Sequence, residues 1–190
     1  MQPTRDQAWA VLTEFTTSDS LIKHALAVEA AMRAYARKLG EDEEKWGIVG
    51  LIHDFDYDQN PTFETHVYAG AKILRERDWP EELVVCMESH AEYMNIPRTT
   101  PMQKALFAVD ELVGFITAVA LVRPSRSIMD VEASSVRKKM KDKAFARSVN
   151  RDDIVKGAEL LGIPLDEHIS FVIASLRPVA AQLGIAGVSA

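Results

Sequence analysis

Apolar residues recur along most of the chain at spacings of three and four, which is the period of an α-helix. In the clearest example, the apolar positions are Leu21, Ala25, Val28, Met32, Tyr35 and Leu39. Ser18 or Asp19 can cap the start of this helix, and Gly40 supplies its C-terminal stop. Alternation of apolar and polar residues, the period of a β-strand, is not sustained anywhere. The pattern therefore predicts an all-α fold.

The same signals set the predicted boundaries. The predicted helices cover residues 7–15, 19–39, 42–54, 65–77, 81–90, 102–122, 131–149, 152–161 and 165–183. Thr65 can cap the fourth helix, and Pro178 is expected to kink the last one. Residues 55–64 and 93–100 contain prolines and are predicted to be loops. Because 190 residues suit one domain and no linker interrupts them, we predict a single domain over residues 1–190.

Composition narrows the class of protein. The 22 Lys and Arg residues against 28 Asp and Glu give a net charge of −6, which disfavours binding of nucleic acid by the whole protein. The sequence contains no run of about 18 apolar residues, so no membrane span is predicted. The N-terminus lacks the apolar core of a signal peptide. A single cysteine, Cys86, excludes an internal disulfide framework and a zinc cluster built on cysteines. We therefore expect a cytoplasmic protein without nucleic-acid or membrane partners.

The candidate chemistry lies in histidine and aspartate. His53 and Asp54 are adjacent near the end of the third predicted helix, and an imidazole with a carboxylate suits first-row divalent metals. His24 lies on the apolar face of the second helix. Asp110 lies on the apolar face of the sixth, where a buried carboxylate needs a partner such as a cation. Because facing helices of a bundle commonly supply metal ligands, these residues together predict a metal site.

Two more histidines extend this set. His66 opens the fourth predicted helix, and His90 follows the apolar positions of the fifth. Any one histidine on an apolar face is more often a packed core residue than a ligand. His168 is in such a position and receives no role. The metal hypothesis therefore depends on the combination and not on any single histidine.

The order of these residues resembles a known family signature. His24, His53-Asp54 and Asp110 resemble the H…HD…D signature of the HD superfamily of metal-dependent phosphohydrolases. With His66 and His90 included, the order is similar to the H…HD…H…H…D subset, which holds two metals. The resemblance covers about residues 20–125 and implies an HD-type helical bundle, with residues 126–190 as a helical extension.

The resemblance also implies roles. A first divalent metal would be bound by His24, His53, Asp54 and Asp110, and Asp54 would bridge to a second metal held by His66 and His90. The implied cofactors are one or two ions of Mn, Fe, Co, Ni, Mg or Zn. The implied activity is hydrolysis of a small phosphoester by a metal-activated water, with nucleotides as the first candidate substrates. Two alternatives stay open: a di-iron oxygenase of the same fold, and a non-catalytic metal-binding regulatory module.

Other polar residues are candidates for catalysis and substrate binding. Asp56, Asp58 and Glu64 follow the His-Asp pair, and one of them is expected to donate a proton or to hold a water; Asp54, Asp58 and Glu64 form the predicted catalytic set. Nine basic and three acidic residues give the segment 123–151 a net charge of +6. Its Arg123, Arg126 and Lys138, together with Arg98, are the candidates to bind a substrate phosphate, and a solvated basic surface is the alternative. The sequence leaves a homodimer open.

Overall fold

Helices form nearly all of the regular structure in the computed structural model, which describes residues 2–187. The α-helices are α1 (Arg5–Phe15), α2 (Asp19–Leu39), α3 (Glu43–Ile52), α4 (Tyr68–Glu76), α5 (Glu81–Glu88), α6 (Pro101–Leu121), α7 (Ala133–Met140), α8 (Arg151–Leu161), α9 (Leu165–Leu176) and α10 (Ala180–Leu183). Short 3-10 turns lie at Glu92–Met94, Ile128–Asp130 and Arg177–Val179. Within this described range, the only β-type contact is one bridge between Ser127 and Ala186. The predicted all-α fold is confirmed.

The chain packs as two compact units, Met1–Phe107 and Ala108–Ala190. The boundary falls inside α6, so this helix contributes residues to both units. No helix within residues 2–187 is long and apolar enough to cross a membrane. The single domain expected over residues 1–190 stays a prediction.

Helix α3 is the buried element of the first unit. All of its residues from Trp46 to Ile52 are buried, and it packs against α1, α2 and α5. A helix that is apolar on every side belongs in a core. At Gly50 the backbones come very close, because an added Cβ would lie 3.0 Å from the Glu29 Cα of α2. The absence of a side chain at Gly50 therefore sets the distance between α2 and α3.

A buried carboxylate ties α1 to α2. Glu29 is only 5% exposed, and its Oε1 accepts hydrogen bonds from Arg5 Nε at 2.7 Å and Arg33 Nε at 2.9 Å. Arg5 precedes the core-facing residues of α1, so the pair fixes the start of α1 against α2. Two guanidinium groups compensate the buried charge, which would be very costly alone.

The helices around the His-Asp pair are shorter than predicted. Helix α3 ends at Ile52 instead of Asp54, because tight turns begin at once, with Phe55 N–H donating to Ile52 O. The predicted cap at Thr65 is wrong: α4 begins at Tyr68, directly after Val67, whose φ is 65°. A β-branched residue at positive φ breaks helical geometry, so the helix can begin only after it.

The second unit departs from prediction at two places. The helix predicted over 131–149 is helical only over α7, because residues 141–149 turn around the Arg151 guanidinium, which donates to Asp142 O and Val149 O. The Asp142 side chain also accepts from Ala144 N–H, a local bond that competes with the helix. At Pro178 the predicted last helix is interrupted by the 3-10 turn Arg177–Val179, which joins α9 to α10.

His168 has a structural role in this unit. It is fully buried on α9, and its Nε2 donates to Ala108 O at 2.8 Å. Nearby, an added Cβ on Gly157 would lie 2.6 Å from Ala108 Cα, so α8 also lies directly against the α6 backbone. His168 is therefore a buried, hydrogen-bonded core residue, as expected for a histidine outside the metal-binding pattern.

Replacing Gly50 by alanine is expected to lower the free energy of unfolding by about 1–3 kcal/mol, because the new Cβ meets the α2 backbone. Glu76→Ala, at an exposed position of α4, is the control. Its side chain lies at the surface and alanine favours a helix, so the net change should stay within about 0.5 kcal/mol. Urea unfolding followed by circular dichroism measures both. Equal stability of Gly50→Ala and wild type would show that the helices can separate at no cost.

Candidate metal centre

The first histidine of the site is oriented by the end of α3. His53 is fully buried and directly follows α3, whose last carbonyls lack helical partners. Its Nδ1–H donates to Gly50 O at 2.8 Å. A neutral imidazole has one donor and one acceptor nitrogen, so Nε2 keeps its lone pair. This Nε2 lies 3.2 Å from His24 Nε2, which α2 supplies.

The Asp54 carboxylate lies among three imidazoles. Its Oδ1 is 3.1 Å from His66 Nε2 and 3.1 Å from His90 Nε2, and its Oδ2 is 3.4 Å from His53 Nε2. Burial alone would raise the pKa of Asp54. The opposing charge and hydrogen bonds of the imidazoles outweigh burial and hold this pKa well below its usual range. Asp54 is therefore an ionised carboxylate with nitrogen atoms converging on both oxygens.

His90 repeats the arrangement of His53 at the end of another helix. It lies two residues after the end of α5, is 8% exposed, and donates Nδ1–H to Met87 O at 2.5 Å. Its Nε2 is thereby directed at Asp54. Both histidines use a carbonyl three residues earlier, in the last turn of the preceding helix.

Arg98 holds the segment that carries His90. Its guanidinium donates to Ser89 O at 2.7 Å and His90 O at 3.2 Å, and it stacks 3.6 Å from the Phe107 ring centroid. A further bond at 3.3 Å reaches Glu92. These contacts within the first unit engage the side chain, and the predicted contact of Arg98 with a substrate phosphate stays a prediction.

His66 is oriented differently, because it precedes its helix. Its Nδ1 lies 3.2 Å from Oδ1 of Asp56, a fully buried carboxylate. The other oxygen of Asp56 accepts from Val67 N–H at 3.1 Å and Gly70 N–H at 3.2 Å. Burial would lower the pKa of His66, but Asp54 and Asp56 outweigh burial and raise it to about 9. Sequence reasoning placed Asp56 only among the loop acids, and its position two residues after the His-Asp pair was the one available signal.

The donor atoms fit two divalent cations that share Asp54. His24, His53 and Asp54 each offer a ligand atom, and these atoms lie within 4.8 Å of one another; the same holds for Asp54, His66 and His90. Mixed imidazole and carboxylate donors suit Mn, Fe, Co, Ni and Zn. Asp110, the remaining predicted ligand, lies on α6 in the second unit and is partly buried.

Four aromatic residues, three of them exposed and Tyr93 half-buried, lie beside His66. We call Tyr57, Phe63, Tyr68 and Tyr93 the aromatic rim. The Tyr57 ring centroid is 4.9 Å from that of His66, and the Phe63 centroid is 5.2 Å from that of Tyr93. His66 O accepts from Tyr68 N–H at 2.8 Å and from the Tyr93 hydroxyl at 3.4 Å. Phe63 is 75% exposed and Tyr68 51%, which is unusual for side chains of this size.

The two predicted loop acids lie in other surroundings. Asp58 accepts from Thr17 N–H at 2.8 Å and Ser18 N–H at 3.1 Å, so it binds the chain at the start of α2, and these bonds lower its pKa. Glu64 is exposed, and a hydrogen bond from Thr62 lowers its pKa. A carboxyl with a lowered pKa is ionised near neutral pH and donates protons poorly. The predicted catalytic roles of Asp58 and Glu64 stay predictions.

The three basic candidates of the second unit are at its surface. Arg123 Nη1 donates a hydrogen bond to Ser135 Oγ at 3.3 Å. Arg126 is exposed in a turn with φ of 49°, and Lys138 is exposed on α7. Their predicted contact with a substrate phosphate stays a prediction.

Comparison with known families decides the assignment. The HD domain matches residues 21–120, a span of more than half the chain that runs from before His24 to beyond Asp110. The chain belongs to the HD domain family. Searches of curated proteins and of solved structures gave no match. Family membership and the His/Asp cluster together mark this HD domain as a metal-dependent module of the hydrolase type.

In the metal-free HD domain, the His66 ring should titrate near pH 9 instead of near 6.5. A folded-state pKa above the unfolded value gives stability that is complete below pH 6.5 and is lost as the pH rises through 9. NMR titration of the ring protons measures the pKa, and unfolding at several pH values measures the stability. Asp54→Asn, which removes one negative charge, should lower this pKa. Titration of wild-type His66 at or below 6.5 would contradict the geometry.

Proposed function

We propose that this HD domain is a phosphohydrolase that uses two divalent cations to hydrolyse a small phosphoester, with a nucleotide as the leading substrate class. The observation that carries the proposal is the ionised Asp54 carboxylate, contacted by His53 on one oxygen and by His66 and His90 on the other. A carboxylate placed this way can bridge two cations. Family membership supports the hydrolytic chemistry.

The proposed ligands divide into two sets. His24, His53 and Asp54 would hold the first cation with two imidazoles and one carboxylate, and Asp110 is a further proposed ligand. His66 and His90, with Asp54 shared, would hold the second. When bound, divalent cations polarise a phosphoryl oxygen and lower the pKa of an attacking water. The assignment of Asp110 comes from its place in the family order within the matched span.

The protein prepares this chemistry by fixing the ligand nitrogens. The bonds from His53 Nδ1–H to Gly50 O and from His90 Nδ1–H to Met87 O keep the lone pairs at Nε2. No ring then has to reorient when a cation arrives. Burial of His53 and His90 also strengthens each electrostatic interaction, because water screens it less. Arg123, Arg126 and Lys138 are the proposed contacts to the substrate phosphate, where Arg can offer a two-pronged donor.

The aromatic rim supports a substrate that carries a planar ring. Tyr57, Phe63 and Tyr68 are the exposed aromatic side chains of the described residues, and all three lie in one short segment around His66. Exposed apolar groups gathered beside a polar site are typical of ligand binding. A phosphoester with its phosphate on the cations would place its remaining part near this rim, where a nucleobase or another aryl group can stack.

Asp54→Ala should lose both cations and lower kcat/KM by more than about 100-fold, because even residues behind metal ligands often contribute 10–100-fold. Elemental analysis and a phosphate-release screen with Mn, Co, Ni, Zn, Fe and Mg measure the two effects. Glu76→Gln, an exposed carboxylate change on α4, is the control. Metal-loaded wild type that releases no phosphate from nucleotides or simple phosphoesters would refute the proposal. Iron with oxygen-dependent turnover would replace it by an oxygenase.

Phe63→Ser should raise KM for ring-bearing phosphoesters about five- to tenfold, because stacking of one ring contributes at least about 1 kcal/mol. The KM for a ring-free substrate such as glycerol phosphate should not change. Steady-state kinetics on a nucleoside monophosphate, phenyl phosphate and glycerol phosphate separate the cases. Leu39→Ser, a change of another exposed apolar residue at the end of α2, controls for loss of an apolar surface side chain. Equal changes for all three substrates would show that the rim does not contact the ring.

A further inference from the structure

We propose that Asp56 is a positioning residue, which holds the His66 proton on Nδ1 and so builds the second cation site. This inference rests on the metal-binding part of the proposed function and adds a residue that neither the family match nor the ligand pattern assigns. Asp56 does not contact the cation or the substrate in this role. It acts through His66.

The need for Asp56 follows from the place of His66 in the chain. His53 and His90 follow helices, and each finds a carbonyl oxygen three residues earlier for its Nδ1–H. His66 lies before α4, where a helix start offers N–H donors and no spare carbonyl. Another acceptor therefore has to come from elsewhere if the Nε2 lone pair of His66 is to face Asp54.

Asp56 meets both demands at once. Its Oδ2 accepts the N–H groups of Val67 and Gly70, which satisfies the start of α4. Its Oδ1 lies 3.2 Å from His66 Nδ1, and neither of these two buried atoms has a hydrogen-bond partner of good geometry among residues 2–187. A fully buried carboxylate is very costly without donors. Turning Nδ1–H toward Oδ1 would satisfy both atoms at once.

The surrounding backbone is shaped to seat this carboxylate. Val67 has φ of 65°, which is unfavourable for a β-branched residue, yet this conformation directs its N–H at Asp56. Such strain persists only where neighbouring interactions compensate it. An added Cβ on Gly70 would lie 2.9 Å from Asp56 Cγ, so only glycine leaves room. Two local features that the helix pattern does not explain are therefore accounted for by Asp56.

The proposal predicts a specific result for Asp56→Asn. The asparagine carbonyl would face Val67 N–H and Gly70 N–H, because an amide group there would oppose two donors. Its NH2 would then face His66 Nδ1 and could donate only to a lone pair. The ring proton would move to Nε2, the atom that must bind the cation.

The test compares cation stoichiometry and the position of the ring proton in the full chain. Wild type dialysed against Mn²⁺ or Co²⁺ is expected to retain two cations, and Asp56→Asn one. In the metal-free protein at pH 10, ¹⁵N NMR of His66 should show the proton on Nδ1 in wild type and on Nε2 in the variant. Glu76→Gln, on the exposed side of α4, should match wild type in both measurements.

A second variant keeps the proposal testable if Asp56→Asn fails to fold. Gly70→Ala retains the charge of Asp56 but displaces its carboxylate. It should lower the affinity for the second cation about 10- to 100-fold while the first cation stays bound. Two cations of wild-type affinity in both variants, or an unchanged ring proton in Asp56→Asn, would overturn the inference. Wild type that binds two cations but hydrolyses nothing would refute the proposed activity and leave the role of Asp56 standing.

Discussion

The metal site of the first unit depends on the contact of the Asp54 carboxylate with three imidazoles. Asp54 brings a negative charge into a place where the nearest atoms are the Nε2 nitrogens of His53, His66 and His90. Such a charge needs positive compensation, and the histidines can supply it in only two ways. They can carry protons, or they can turn their lone pairs to cations. Protons and cations therefore compete for the same nitrogens, and metal binding must release protons.

The site is built at the ends of helices and not from their faces. His53 and His90 follow α3 and α5, and His66 precedes α4; only His24 projects from inside a helix of the first unit. Helix ends offer unpaired backbone groups that can orient side chains, whereas the middle of a helix has none to spare. Carbonyls in the last turns of α3 and α5 bind imidazole N–H groups directly. The N–H groups before α4 cannot, and this difference is why a carboxylate lies between them and His66.

Sequence reasoning predicted what depends on local periodicity and residue order. The helical period along α2 and the order His24, His53-Asp54, His66, His90 can be read without a structure. The end of α3 and the start of α4 could not be predicted, because they depend on a positive φ at Val67 and on turns that favour no one residue type strongly. The seat of Asp58 at Thr17, 41 residues away, is a tertiary contact that no local pattern reports. Three acids in one loop looked alike in sequence, and only burial separates Asp56 from the other two.

The two proposed cations would not be equivalent. Each shares the single charge of Asp54, but the second is offered two neutral imidazoles and no carboxylate of its own. Asp56 compensates this lack of negative charge without binding the cation itself. Its carboxylate lies 3.2 Å from His66 Nδ1 and makes Nε2 of the ring a stronger electron-pair donor to the cation. A carbonyl, as used by His53 and His90, would orient the ring but add no charge. His66 is thus oriented by a carboxylate, whereas His53 and His90 are oriented by carbonyls. The extra negative charge lies at the cation site with the fewest negative ligands, where it strengthens cation binding most.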